Sequence, residues 1–329
     1  MNKIASRQKL FDFALENKAI VILLAICLGT TCLVPLTFLT VRNLTNVIRQ
    51  IAVTCIMSAG TTLVLTSGKM DLSIGALLSM LGVIMAKLYE RGYSLMSVWL
   101  VGLVIGGVCG YLNGFIATVF KLNAFIVTLS TQQIFKGLAF AISNNTPVVG
   151  LDNTFKYIGQ GYILGVIPVP VVIMFAVLSI TSLVLYRTKF GRAVVAIGGN
   201  EEAARVSGIN TGRTRRMVYL YTGCTCSVAA LVMTARLSSA QPSAGIGMEM
   251  DAICAIVLGG TANTGGKGKV FGTLVGCLIV GVVTNALNLN RVDSNWQYVA
   301  KGIMIIIAIA IDVVTEDYVK RQQVKARII

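Results

Sequence analysis

The chain has 329 residues, of which 55% are hydrophobic and 12% are charged, a balance typical of a protein that lies mostly in lipid. Its net charge of +15 would suit a nucleic-acid partner, but the basic residues lie between apolar runs rather than on one soluble surface, which excludes that class. The eight cysteines lack metal-ligand spacing and the chain has no histidine, so no metal site is expected.

About ten apolar runs have the length that crosses a bilayer, roughly 17 to 25 residues. The first is too long for a cleaved signal peptide, so we expect a retained span. The run at 94–120 is long enough to break or tilt and the run at 248–262 is short, so the count lies between about eight and eleven. The sequence therefore predicts an all-α integral membrane protein with spans at 18–39, 46–66, 72–88, 94–120, 122–143, 166–186, 217–236, 248–262, 269–290 and 296–314.

The lysines and arginines predict how these spans are oriented, because basic residues near span ends stay in the cytoplasm. With the N-terminus inside, most of them fall on the cytoplasmic side, and seven lie in the polar segment 187–216. We therefore expect the N-terminus, the C-terminus and segment 187–216 to be cytoplasmic.

Segment 187–216 is the longest polar interruption of the apolar sequence, and it predicts one short helix. Asn200 is a good N-cap, acidic residues follow in the first turn where the helix dipole favours them, and Gly208 suits a left-handed C-terminal cap. A helix of about two turns is marginal alone in water, so we expect a soluble partner protein to stabilise it. The candidate coupling residues are Asn200, Glu201, Glu202, Ala203, Ala204, Arg205 and Gly208.

Two further polar segments, 66–75 and 258–269, interrupt apolar runs. Such breaks are tolerated at membrane depth only where they are buried in protein or line a watery cavity. A phosphate-binding loop in the second would need glycine at Thr261 and serine or threonine at Gly268, so we expect a tight cytoplasmic or re-entrant turn instead. The residues expected to shape the two interrupting turns, at 66–75 and 258–269, are Gly68, Asp71, Ser73, Gly259, Gly260, Gly265 and Gly266.

The uncharged segment 237–247 could be an external docking loop or only a turn.

Several polar residues lie within or beside the apolar runs, where ionisable groups usually face a bundle interior or a water-filled path. Structural roles stay open for each of them. Lys136 could snorkel to the interface, and Arg236 could pair with Asp251. Asn285 and Asn288 share one helical face, which could bind hydroxyl groups or join neighbouring helices. The candidates for a translocation path are Gln132, Gln133, Lys136, Asn285, Asn288 and Asp251.

Taken in order, these motifs resemble those of the permease subunits of bacterial ribose-type ATP-binding-cassette (ABC) sugar importers. Each motif is weak alone, but their order and spacing are specific, and they extend from about residue 40 to 315. One departure is Lys69-Met70, where the family more often has glycine and a small apolar residue. The matching motifs are Thr66-Ser-Gly68, Asp71-Leu-Ser-Ile-Gly75, Gly198-Gly-Asn-Glu-Glu-Ala-Ala-Arg-Val-Ser-Gly-Ile-Asn210, Ala235-Arg-Leu-Ser-Ser-Ala-Gln-Pro242, Asp251-Ala-Ile253, Val257-Leu-Gly-Gly-Thr261 and Gly265-Gly-Lys-Gly268.

The resemblance implies one transmembrane permease domain over residues 1–329, in the bacterial inner membrane, that carries ribose or a related pentose by alternating access. ATP and Mg²⁺ would bind to a separate ATPase on the cytoplasmic side, so this chain would bind no cofactor and would not be an enzyme. A second copy of the chain and an extracytoplasmic sugar-binding protein would complete the importer. The helix at 200–208 matches the one that seats in a groove of the ATPase in such importers.

Other functions stay open. A hexose, a sugar-derived signal or a branched-chain amino acid could replace the pentose. An ion-coupled secondary transporter also uses broken helices, but it would need coupling carboxylates at mid-membrane depth, whereas Asp71 and Asp251 lie near predicted span ends. A membrane-embedded enzyme is disfavoured because the chain has no histidine and no recognisable nucleophile or metal set.

Overall fold

The structure is a computed structural model, and it describes residues 18–293, 295–307 and 310. Helices make up most of it, as the sequence predicts, and the one sheet in the described part is a short antiparallel hairpin of β1 (Tyr162–Ile163) and β2 (Ile167–Pro168). Residues 295–307 are also helical. The other helices are α1 (Lys18–Leu33), α2 (Val41–Thr66), α3 (Ile74–Glu90), α4 (Leu95–Val119), α5 (Ala124–Ile142), α6 (Asn153–Gln160), α7 (Val169–Arg187), α8 (Lys189–Gly199), α9 (Glu201–Val206), α10 (Thr211–Leu237), α11 (Met248–Leu258) and α12 (Val270–Leu289).

Each of the ten predicted spans overlaps a helix, and six of the described helices are long and apolar enough to cross a membrane: α2, α4, α5, α7, α10 and α12. The all-α membrane fold is therefore confirmed, whereas the count of ten remains a prediction. Helix α11 has only 11 residues, which is about 16 Å and too short to cross alone. Residues 1–17 and 311–329, with both predicted cytoplasmic termini, lie outside the described residues.

Helix α10 lies at the centre of the bundle, against α2, α3 and α4. Its closest neighbour is α4, which carries glycines at positions 102, 106, 110 and 114. A Cβ atom at Gly106 would lie 2.5 Å from the carbonyl oxygen of Gly223 on α10, and one at Gly110 would overlap the carbonyl oxygen of Tyr219. Glycine at four-residue spacing lets two membrane helices approach to backbone contact. This four-residue glycine spacing is visible in the sequence.

The break between α2 and α3 lies inside the bundle, as predicted. Ser67, Asp71 and Ser73 are all buried. The thiol of Cys226, close to the middle of α10, donates to the carbonyl oxygen of Ile74, so α3 begins well inside the protein. The Asp71 carboxylate accepts hydrogen bonds from the backbone N–H and the hydroxyl of Ser73, at 2.9 and 2.6 Å, which satisfies polar groups that lipid could not.

Segment 238–247, within the predicted segment 237–247, enters the bundle in part, whereas Gln241, Ser243 and Ile246 are exposed, and a docking role stays a prediction. The backbone N–H of Gly245 donates to the hydroxyl of Ser79 on α3 at 2.8 Å, and a Cβ atom at Gly245 would overlap the carbonyl oxygen of Gly75. Pro242 is buried as well. The small, uncharged residues of this segment therefore let it enter the bundle, where α11 begins, and α11 then carries the chain towards the 259–269 turn.

Segment 187–216 contains two helices rather than the one predicted, and α10 begins at Thr211, earlier than the predicted 217. The additional helix, α8, begins where the hydroxyl of Thr188 accepts a hydrogen bond from the N–H of Gly191 at 3.0 Å. Val194 and Ile197 lie buried on its inner face. The basic residues of the segment obscured this amphipathic pattern.

The contact between α4 and α10 gives a test of the fold. Gly106→Ala should lower the free energy of unfolding by about 1–3 kcal/mol, the usual cost of overpacking, because the new methyl group meets backbone that cannot rotate away. Gly29→Ala on α1, where nothing lies within 4 Å, is the matched control and should leave stability unchanged or slightly raised. Thermal unfolding of the purified variants in detergent measures both; equal midpoints would contradict the close contact.

Candidate functional site

Helix α9 has the capped structure that the sequence predicts. The side-chain oxygen of Asn200 accepts a hydrogen bond from the N–H of Ala203 at 2.9 Å. At the other end Gly208 has a φ of +84°, and the N–H of Ile209 donates to the carbonyl oxygen of Ala204 at 3.0 Å. Both ends of this six-residue helix are therefore closed by the local sequence.

One ion pair fixes α9 to the central helix α10. The guanidinium of Arg215 donates to both carboxylate oxygens of Glu201, at 2.5 and 2.6 Å. The Arg215 side chain is 14% exposed and that of Glu201 is 43% exposed. The hydrogen bonds from Arg215 lower the pKa of Glu201 below its usual value, against a smaller opposing effect of burial. The carboxylate is therefore charged at neutral pH.

The outer face of α9 has no cover within the described chain. Ala204 is buried beneath the helix, whereas Ala203 and Val206 face outwards, and Val206 is 80% exposed. Beside them Glu202 and Arg205 form an exposed ion pair at 2.7 Å. A small apolar patch with charged neighbours on a pre-formed helix suits a protein partner.

Four glycines join the segment that carries α8 and α9, which we name the coupling region, to the two interrupting turns, and we name Gly68, Gly198, Gly265 and Gly266 the glycine junction. A Cβ atom at Gly198, near the end of α8, would overlap the carbonyl oxygen of Thr66 at the end of α2. One at Gly265 would lie 2.7 Å from the Cα of Gly68. The N–H of Gly266 donates to the carbonyl oxygen of Thr66 at 2.9 Å. Three segments distant in sequence therefore meet through backbone contacts.

Positive φ values show why these turns need glycine. Gly68, Gly260, Gly265 and Gly266 have φ between +75° and +89°, the left-handed region that other residues rarely adopt. Gly259 is different: its φ is negative, but a Cβ atom there would overlap the carbonyl oxygen of Gly272 on α12.

The six path candidates lie at three separate places. Asn285 exchanges hydrogen bonds with Asn43 of α2, at 2.9 and 3.0 Å. Asn288 accepts one from Gln297 at 2.9 Å. Both amides therefore join neighbouring helices in this structure, which is one of the two readings left open by the sequence.

The candidates on α5 divide between its two faces. Gln133 and Lys136 lie on the exposed face. Gln132 turns inwards and donates to the carboxylate of Glu249 at 2.9 Å. Glu249 is 6% exposed and lies in the first turn of α11, beside Gly75 of α3, and its Oε2 has no hydrogen-bond partner among the described residues. Sequence reasoning gave Glu249 no role, although its position in an apolar run was the available signal.

Asp251 pairs with Lys301, at 2.8 Å, and not with Arg236 as the sequence allowed. The 295–307 helix brings the lysine to the carboxylate, a contact between residues fifty positions apart that no local pattern predicts. Arg236 lies nearby, and all three side chains line a cavity of about 280 Å³. Among the described residues, no cluster of three or more histidine, cysteine or acidic side chains could hold a metal ion.

Comparison with known proteins identifies the family. Residues 43–309 match the family described as the permease component of the branched-chain amino acid transport system. The chain is 40% identical to the ribose import permease of Bacillus subtilis, over 84% of this chain and 86% of that protein. It is 39% identical to the ribose import permease of Escherichia coli K12, over 91% and 94%, and 36% identical to the D-allose permease of the same organism, over 94% and 95%.

No solved structure matches the chain. The family match covers most of the residues, and six apolar helices of spanning length accompany it. The chain is therefore a multi-pass protein of the bacterial inner membrane and belongs to the family of permease components of ABC importers.

Proposed function

We propose that this chain is the permease subunit of an ABC sugar importer, and that it moves ribose or a related monosaccharide inwards by alternating access. The relatives support the sugar: two are named for ribose and one for D-allose, at 36–40% identity over nearly their whole lengths. The family's description names branched-chain amino acids, which makes an amino acid the first competing substrate.

The proposed mechanism rests on helix α9, which is capped at both ends and faces outwards. It has a pre-formed backbone and an exposed apolar residue, Val206, and the Glu201–Arg215 ion pair anchors it to α10. A separate cytoplasmic ATPase would cover this surface. ATP and Mg²⁺ would then bind to that partner, and this chain would supply no nucleotide site and no cofactor.

The glycine junction would connect α9 mechanically to the bundle interior. A push on α9 reaches α8, whose Gly198 touches Thr66 and Gly265 through backbone atoms. Packed backbones transmit displacement because they have no side-chain rotamers to absorb it. ATP-driven closure of the partner would therefore move both interrupting turns and reshape the bundle interior.

The exposed face of α5 supports a second copy of the chain. Gln133 and Lys136 lie on this face, within a 19-residue helix long enough to cross the membrane. A lysine well inside a span is costly against lipid and normally faces protein or water. Two α5 helices facing each other across a homodimer would place these side chains on a shared polar path.

The proposal also assigns each end of the helices to one side of the membrane. With α9 in the cytoplasm, both termini are cytoplasmic, the chain crosses about ten times within one domain of residues 1–329, and an extracytoplasmic sugar-binding protein delivers sugar to the opposite face. The hairpin β1–β2 and helix α6 lie on that opposite face, near the outer end of α10.

One observation favours an ion-coupled alternative. Glu249 is a buried carboxylate in the first turn of a half-length helix, the kind of group that an ion-coupled transporter needs. A secondary transporter would work without an ATPase and would respond to an ion gradient. The two functions therefore differ in what the same reconstituted chain requires.

Val206→Asp tests the importer directly. The charge lies on the exposed face, so the fold should persist, but the desolvation of a carboxylate at the partner contact should weaken ATPase binding and sugar uptake at least tenfold. Proteoliposomes with the candidate ATPase and binding protein measure both. Val149→Asp, also at an exposed valine but on the opposite face, should keep ATPase binding. Uptake that needs no ATPase but follows an ion gradient would contradict the proposal.

Arg215→Gln tests the anchoring of α9. Because the pKa of Glu201 is lowered on folding, the ion pair stabilises α9 above the ordinary glutamate pKa of about 4.3, and this stabilisation is lost as pH falls through the lowered pKa. The variant should raise that pKa and speed amide hydrogen exchange in residues 201–206 at neutral pH by a few-fold, equivalent to about 1 kcal/mol or less.

The control for this variant is Arg213→Gln, an exposed arginine on the same helix, which should leave exchange in α9 unchanged. The difference between wild type and Arg215→Gln should shrink as pH falls below the ordinary glutamate pKa of about 4.3 and disappear once the pH is below the lowered pKa of Glu201. Equal protection at neutral pH would show that the ion pair does not hold α9.

A further inference from the structure

A cavity of about 280 Å³ lies within the single chain, away from the exposed face of α5. Its walls come from α2, the outer end of α10, segment 238–247, the start of α11 and the 295–307 helix. Drug-sized ligands usually occupy about 300–1,000 Å³, so this space suits a smaller molecule. The polar side chains that line it are Gln50, Thr54, Arg236, Asp251, Gln297 and Lys301.

The lining combines hydrogen-bond donors and acceptors at short range. Asp251 offers a carboxylate that is held by Lys301 at 2.8 Å. The Nε of Arg236 is buried without a hydrogen-bond partner among the described residues, and its Nη2 has only the weak acceptor Met233 Sδ, at 3.6 Å. A buried guanidinium donor without a hydrogen-bond partner is costly, and Arg236 lies at the wall of this partly open cavity.

The remaining walls suit a neutral polyhydroxy ring. Sugar hydroxyls both donate and accept, which matches carboxylate, guanidinium, amide and hydroxyl groups together. The Tyr298 ring and the apolar side chains of Val53 and Met248 also line the cavity and can cover the C–H face of a ring. Asp251 neutralises Lys301, and its carboxylate would repel an anionic headgroup, whereas the charged Arg236 guanidinium can donate to the neutral hydroxyls of a sugar.

Helix α11 connects this cavity with the coupling region. Met248 and Asp251, at its start, form part of the cavity wall. At its other end the chain enters the turn that carries Gly265 and Gly266 of the glycine junction. A helix of 11 residues transmits movement over about 16 Å. Displacement of the junction would therefore move one wall of the cavity.

We propose that this cavity is a sugar subsite within each permease chain, lined by Arg236, Asp251 and Gln50, and that α11 opens and closes it as the coupling region moves. The inference rests on the proposed sugar-import function. The subsite would hold a sugar inside each protomer, away from any translocation path that two copies share. Weak, millimolar binding suffices there, because a transported ligand must also leave.

The test measures sugar binding by the purified permease alone, in nanodiscs of zwitterionic lipid, by saturation-transfer NMR with D-ribose. Wild type should give a signal that saturates. Ala244→Leu, which fills the cavity without removing a charge, should abolish it, and Asp251→Asn should weaken binding at least tenfold. Ala25→Leu, at an exposed alanine on α1, is the matched control and should bind like wild type.

Three outcomes would overturn the subsite. Ala244→Leu could bind ribose as well as wild type does, wild type could show no saturable signal, or the signal could require anionic lipid, which would assign the cavity to a headgroup. None of these outcomes would contradict the proposed importer function, because sugar uptake in the complete ATPase-containing system is measured separately. Loss of that uptake by the wild type would instead contradict the proposed function.

Discussion

Backbone atoms of α4 and α10 meet at Gly106 and Gly223, and those of three separate segments meet again at the glycine junction. Lipid offers no hydrophobic force that drives apolar helices together, so close packing must supply the attraction. The first set of contacts places α10 at the centre of the bundle. The second connects the surface helix α9 to the interior. A methyl group at either place would move apart the backbones that meet there.

The two broken segments owe their stability to this packing. Breaking a span exposes backbone groups that lipid cannot satisfy, at a cost of several kcal/mol each. Here the Asp71 carboxylate accepts a hydrogen bond from the backbone N–H of Ser73 at the start of α3. The hydroxyl of Ser79 accepts one from the N–H of Gly245 where segment 238–247 enters the bundle. The protein thus contains two helices, α3 and α11, that begin inside it. Helix ends of this kind can move without a whole span moving, which suits a path that opens from alternate sides.

The spans and the capped helix α9 could be predicted because their signals are local. Apolar length locates the spans, and Asn200 and Gly208 mark the ends of α9 within eight residues of sequence. Contacts between distant segments could not be predicted in this way. The Asp251–Lys301 pair and the Asn43–Asn285 exchange each depend on how helices pack. Segment 237–247 was left open between a docking loop and a turn, because its small uncharged residues do not show that Gly245 packs against Ser79 of α3.

In the proposed mechanism, movement of α9 reaches the bundle interior through backbone contact at the glycine junction. Gly198→Ala and Gly199→Ala test it most directly, since a Cβ atom at Gly198 would overlap Thr66 whereas one at Gly199 meets nothing within 4 Å. The measurement is the number of sugars imported for each ATP hydrolysed, in proteoliposomes with the ATPase and binding protein. We expect Gly198→Ala to keep ATPase binding but to lower this ratio severalfold, and Gly199→Ala to match wild type. An unchanged ratio for Gly198→Ala, with normal folding, would contradict it.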